Sequence, residues 1–134
     1  PSIGGGIIWD DILTDAFPPF SIDDCKLAVA ILDTRDAVSG KKLASDPGYN
    51  LARNLLAAQL NFGAGACVDT GALNGYADIH QVALAAETLL DKYNYDGTGA
   101  SGIPKKGGDR DMALKLANFL DMYNNGEYCG DGES

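Results

Sequence analysis

The sequence is poor in the residues that chemistry uses most. Its 134 residues include one histidine, His80, one tryptophan, Trp9, and three cysteines, Cys25, Cys67 and Cys129. A single histidine and cysteines without a Cys-x-x-Cys pair exclude the usual ligand set of a structural zinc site. No apolar run reaches the roughly 18 residues a membrane-spanning helix needs. Basic side chains are scarce: 10 Lys and Arg stand against 19 Asp and Glu, giving a net charge of -9. A surface of that sign repels phosphate backbones, so nucleic acid is not expected as a partner. No Asn-x-Ser/Thr sequon occurs, which removes N-glycosylation at that motif. No Gly-Lys-Ser/Thr follows the glycines at 4–6 or 97–102, which removes a phosphate loop. Period-two alternation is missing over any useful length, so half-buried strands are not expected.

What is present is ordinary globular material. Apolar residues make up 46% and charged residues 22%, which excludes wholesale disorder. A chain of this length forms one domain and can bury about two-thirds of its unfolded surface. It opens Pro1-Ser2-Ile3, with neither an initiator Met nor a basic segment leading into an apolar stretch. A removed leader, or a piece of a longer chain, is the expectation. Acidity, abundant glycine and three widely spaced cysteines point to an exported protein with one intrachain disulfide and one cysteine left over; three reduced, buried cysteines in a cytosolic domain are the alternative.

Residues 1–20 form a glycine-broken apolar arm, with Ile3, Ile7, Ile8 and Trp9 outside any amphipathic stripe. The arm either folds back to cover the bundle's end or extends into a groove on a neighbouring molecule. A helical turn around Asp10–Asp15 is stopped by Pro18-Pro19. Ser21 reads as an N-cap for a first helix over Ile22–Thr34, with Cys25, Ala28, Val29 and Leu32 on its inner face. Arg35–Ser45 is a polar connection. Asp46-Pro47 then reads as an N-cap followed by a first-turn proline. Leu51, Leu55, Ala58 and Phe62 make the second stripe, widened by Leu56 and Leu60 and ended at Gly63 or Gly65. A glycine-rich loop carrying Cys67 leads to a third helix that starts near Tyr76–Asp78. It presents Ile79, Val82, Ala83, Ala86, Leu89 and Leu90, and stops at the turn formers Asn94–Gly99. Asp109 is the expected N-cap of a fourth helix, with Met112, Leu116, Phe119, Leu120 and Tyr123 inward and Asn125-Gly126 as its stop. The expected fold is all-α, a small antiparallel four-helix bundle over residues 21–129, with a loose acidic tail at 130–134.

That topology carries an expectation for the cysteines. In an up-down-up-down bundle the first helix begins at the end where the second and fourth finish, so Cys25, Cys67 and Cys129 gather there. Second and fourth helices would lie diagonally, which makes Cys25 the common partner and leaves Cys67 or Cys129 free to bridge to another chain.

Catalysis finds little support. Cys25 or Cys67 with His80 could be drawn as nucleophile and base. His80, however, sits beside Ile79 and Val82 on a helix, where packing explains it. The carboxylate pairs Asp23/Asp24 and Asp109/Asp111 stand at helix starts, where the macrodipole explains them. An EF-hand is excluded, because Lys92 and Ile103 would fall at its first and twelfth positions. A looser calcium site from Asp91, Asn94, Asp96 and Thr98 is conceivable, beside a plain helix-ending turn.

The segments Cys25-x-x-Ala28-Val29-Ala30-Ile31-Leu32, Ala44-Ser45-Asp46-Pro47-x-Tyr49-Asn50-Leu51-Ala52 and Leu55-Leu56-Ala57-Ala58-Gln59-Leu60-Asn61 with Gly63–Cys67 follow one another here. With Asp96-Gly97-Thr98-Gly99 and Leu120-Asp121-x-Tyr123-Asn124-Asn125-Gly126, this set resembles a group of poorly characterised exported bacterial modules. The resemblance runs from about Ser21 to Cys129. Many members carry a Gly-Tyr-Trp-Lys-like segment before the bundle; here Gly6-Ile7-Ile8-Trp9-Asp10 stands in that region. The resemblance implies export, attachment at a bacterial cell surface and a scaffold role, and adds no catalytic residue or cofactor. The expected function is a secreted structural subunit that self-associates through Ile3, Ile7, Ile8 and Trp9. The alternative is a monomeric extracellular module that binds a glycan or protein ligand, with calcium as a conceivable helper.

Overall fold

A computed structural model describes residues 28–65, 73, 75–95 and 97–127. Among them the fold is all-α, a helical bundle. Pairing is limited to the isolated bridges Arg35–Lys42 and Leu73–Tyr76. Helix α1 is described over residues 28–32. Helix α2 spans Pro47–Gly63, α3 Ile79–Lys92 and α4 Gly108–Asn124.

Helix α2 starts where local chemistry dictates. The Asp46 carboxylate accepts from the Gly48 N–H at 2.8 Å, and Pro47 occupies the first turn, where its missing N–H leaves no bond unmade. Asp78 caps α3 in the same way, accepting from Gln81 N–H at 3.1 Å. Helix α4 differs from expectation. Its N-cap is Gly107, which makes no side-chain cap, and Asp109 lies inside the first turn. There its carboxylate reaches back to α3, receiving a hydrogen bond from Lys92 Nζ at 2.7 Å and another from the Tyr93 hydroxyl. Two donors on a neighbouring element outcompete a cap. At the other end Gly126 takes φ +81° and its N–H bonds Tyr123 O at 2.9 Å, the left-handed stop that Asn125-Gly126 implies.

The core is built from Leu51, Leu55, Leu56, Ile79, Val82, Leu90, Leu116 and Leu120, all essentially inaccessible to solvent. Two residues expected to face inward do not. Val29 is 61% exposed while Ile31 is fully buried, and Met112 is exposed while Ala113 and Ala117 are buried. Small alanines on α4 let α2 approach closely, and the α2–α4 contact is the most extensive between any two helices. Second and fourth helices are therefore not diagonal. Their C-terminal ends meet: Asn61 Nδ2 donates to Asn124 Oδ1 at 2.9 Å, and the Phe62 and Tyr123 rings lie 5.4 Å apart.

Loops contribute to the core as well. Leu73, Tyr95 and Ile103 are buried outside any helix. Tyr95 packs edge-on against Tyr49 at 5.1 Å, and the Tyr49 hydroxyl donates to Gly99 O at 2.7 Å. The loop at 35–42 is tied to the 97–99 turn by Ala37 N–H to Gly97 O at 2.8 Å and Gly99 N–H to Asp36 Oδ2 at 2.6 Å.

Candidate functional site

The assembly arm Ile3, Ile7, Ile8 and Trp9, the carboxylates Asp23 and Asp24, and the cysteines Cys25, Cys67 and Cys129 lie outside the described residues. The diagonal premise behind Cys25 as common partner does not hold, because α2 and α4 touch along their length.

Of the calcium set, Asp91, Asn94 and Thr98 are described and Asp96 is not. Among the described residues no group of three His, Cys, Asp or Glu gathers around a metal-sized space. Asn94 adopts φ +54° and its N–H bonds Asp91 O at 3.0 Å, which is the work of a helix stop. Partial burial pushes the Asp91 carboxyl above its ordinary range.

His80 is exposed at the start of α3, with its ring 4.7 Å from Phe62 and tilted 35° to it. Asp109 is committed to Lys92 and Tyr93, whose hydrogen bonds hold its carboxyl below the usual range. Asp111 lies 3.6 Å from Arg110 Nη1.

Two surface features stand out. The first is an apolar cavity of about 360 Å³ between α1 and the 35–40 loop, lined by Val29, Ala30, Ala37 and the stems of Asp33, Arg35 and Asp36. Val29 at its rim is 61% exposed, and Val38 in the same loop is 84% exposed. The salt link around Asp33, which accepts from Arg35 and from Lys42 Nζ at 3.1 Å, stiffens this loop, and the Arg35 hydrogen bond is foremost in lowering the Asp33 carboxyl.

The second feature is polar. Asn50, Arg53 and Asn54 on α2 face Leu114, Ala117, Asn118 and Asp121 on α4 across a cavity of about 260 Å³. A second cavity of about 370 Å³ continues from Asn50 and Arg53 toward Thr34, Ala44 and the paired Asp33 and Lys42. Arg53 and Asn50 belong to both. The Arg53 guanidinium makes no ion pair among the described residues. Sequence reading passed over these positions. Their signal was available as polar residues at i, i+3, i+4 on α2 and a mixed i, i+3, i+4, i+7 row on α4, both bordering the apolar stripe, with Asn54 and Ala117 buried.

No protein-family model, curated protein or solved structure matches the chain.

Proposed function

We propose that the chain is an exported, non-catalytic structural subunit that self-associates through its apolar N-terminal arm. The arm's Ile3, Ile7, Ile8 and Trp9 would seat on a second copy, and the apolar cavity beside Val29 and Val38 is the acceptor the described surface offers. That exposed cavity is the observation that carries the reading. In the full arrangement α1 completes a four-helix bundle in which α3 runs against both α2 and α4, while α2 and α4 run the same way side by side. Its Ile31 shares the core of the other three helices, and Phe62 beside His80 together with Tyr49 beside Tyr95 supports opposite directions for α2 and α3. An unpaired cysteine would lock such assemblies covalently.

Electron microscopy of the unreduced protein tests this. Filaments or closed oligomers are expected, and they should disappear in Trp9→Asp and in Val38→Asp. Dispersed single chains at high concentration would overturn the reading.

The second reading, a monomeric binding module for a glycan or protein ligand, is favoured by the polar groove at Arg53. Calcium at Asp91, Asn94, Asp96 and Thr98 belongs to this reading. It would raise the melting temperature at millimolar calcium, and an unchanged melting curve would end it.

A further inference from the structure

We propose that the two polar cavities meeting at Arg53 form one groove for a small acidic saccharide, a sugar that carries a carboxylate. The proposal rests on the binding-module reading and narrows it to a ligand class.

The groove offers hydrogen bonds of both kinds. The side-chain amides of Asn50 and Asn118 each present donors and an acceptor, as vicinal hydroxyls require. Asn118 spends its donor only on a long 3.7 Å contact with Met122 Sδ, so its oxygen remains for a ligand. Asp121, one turn further along α4, accepts from hydroxyls. Asn54 is fixed by its own bond to Asn50 O at 3.0 Å and by Asn124 Nδ2 reaching Asn54 O at 3.1 Å, which holds this wall of the groove rigid.

Charge selects the class. The Arg53 guanidinium makes no ion pair among the described residues, although Asp121 lines the same cavity, and its planar fork matches a carboxylate. At the far end of the second cavity Lys42 is neutralised by Asp33, which lines the same space, so Arg53 alone is left to meet a carboxylate. No aromatic ring lines either cavity; the apolar lining on the α4 side is Leu114 and Ala117. Neutral sugars bound without a stacking ring gain little beyond what water gives them, so the carboxylate–Arg53 pair must supply the discrimination. Each cavity is near the lower end of the size range of small-molecule sites, roughly 300 Å³.

The test is a titration of the isotopically labelled full chain with glucuronate, following backbone amide shifts, with glucose and acetate as separate arms. Saturable shifts confined to residues 50–54 and 114–121 are expected, with glucuronate binding about ten-fold or more tighter than either control. Arg53→Gln and Asn118→Asp should each weaken glucuronate by a similar factor without altering the melting temperature, since both positions are exposed. Absent or non-saturable shifts would overturn the proposal. So would acetate binding as well as glucuronate, which reveals a bare anion contact, or glucose binding as well, which leaves Arg53 idle. A different glycan shifting residues elsewhere would overturn this site while leaving the binding-module reading intact.

Discussion

At Asp46 one carboxylate holds two distant pieces of chain. Its Oδ1 accepts from the Gly48 N–H and from Ser101 Oγ at 2.6 Å, and its Oδ2 accepts from the Ser101 N–H at 2.9 Å. Ser101 is 3% exposed, and its Oγ accepts a further hydrogen bond from the Ile103 N–H at 3.2 Å. The loop comes so near that a Cβ on Gly48 would lie 2.3 Å from Ser101 Cβ. Glycine at 48 is thus required by a close backbone approach and not by its dihedral freedom. Two expectations follow for stability, read as denaturant midpoints at constant slope. Asp46→Ala removes a cap and strands a buried hydroxyl, and should cost about 2 kcal/mol. Gly48→Ala should cost about 1–3 kcal/mol through overpacking against Ser101. A neutral Gly48→Ala would show that the 101 loop does not sit on the start of α2.

At the scale of elements, polar clamps decide where helices begin and how they dock. Asp109 joins the start of α4 to the end of α3, and the Lys92 hydrogen bond is foremost in keeping its carboxyl below the ordinary range. Asp36 is lowered chiefly by the Gly99 N–H, and Asp33 chiefly by Arg35. Groups whose folded pKa is depressed contribute stability above their unfolded value, near pH 4, and lose it as pH falls through the lower folded value. Acid unfolding should therefore set in below about pH 4, and Asp109→Asn should flatten the acid limb of a midpoint-versus-pH curve. An acid limb identical to that of the parent would show that the clamp is not formed in solution. On the alkaline side Lys92 is raised chiefly by the same bond, so its contribution persists until pH climbs past its ordinary value of about 10.4. These clamps also mark how far sequence reading reaches. The Asp46-Pro47 start and the Leu51-Leu55-Ala58 stripe were legible, because capping and periodicity are local. Asp109 was misplaced by the same rule, since an acid at a helix start caps only when no better donor is near. Val29 reads as inward-facing because it neighbours the stripe of Ala28 and Leu32, but the described turn centres that stripe on Ile31 and leaves Val29 off it.

At the scale of the molecule, the groove at Arg53 was hidden because its walls are far apart in sequence. Asn50 and Asn118 meet only once α2 and α4 pack directly, an arrangement that a square bundle with those helices on its diagonal does not produce. Ile3, Ile7, Ile8 and Trp9 stand out in the sequence as apolar residues without a stripe and lie outside the described residues, while the cavity beside Val29 required the fold. These two surfaces respond oppositely to salt, and that separates them. Copies of a chain with net charge -9 repel one another, so joining them through apolar contacts works against a long-range Coulomb term. Added salt shortens the Debye length from about 30 Å at 0.01 M to about 10 Å at 0.1 M and removes that term while leaving apolar burial in place. Self-association should therefore strengthen as salt rises, whereas a carboxylate ligand held at Arg53 should bind more weakly. Light scattering across a concentration series at low and high salt measures the first effect directly. Association that weakens with salt would mean that the copies meet through charged surfaces, and the arm and the Val29 cavity would lose their part in it.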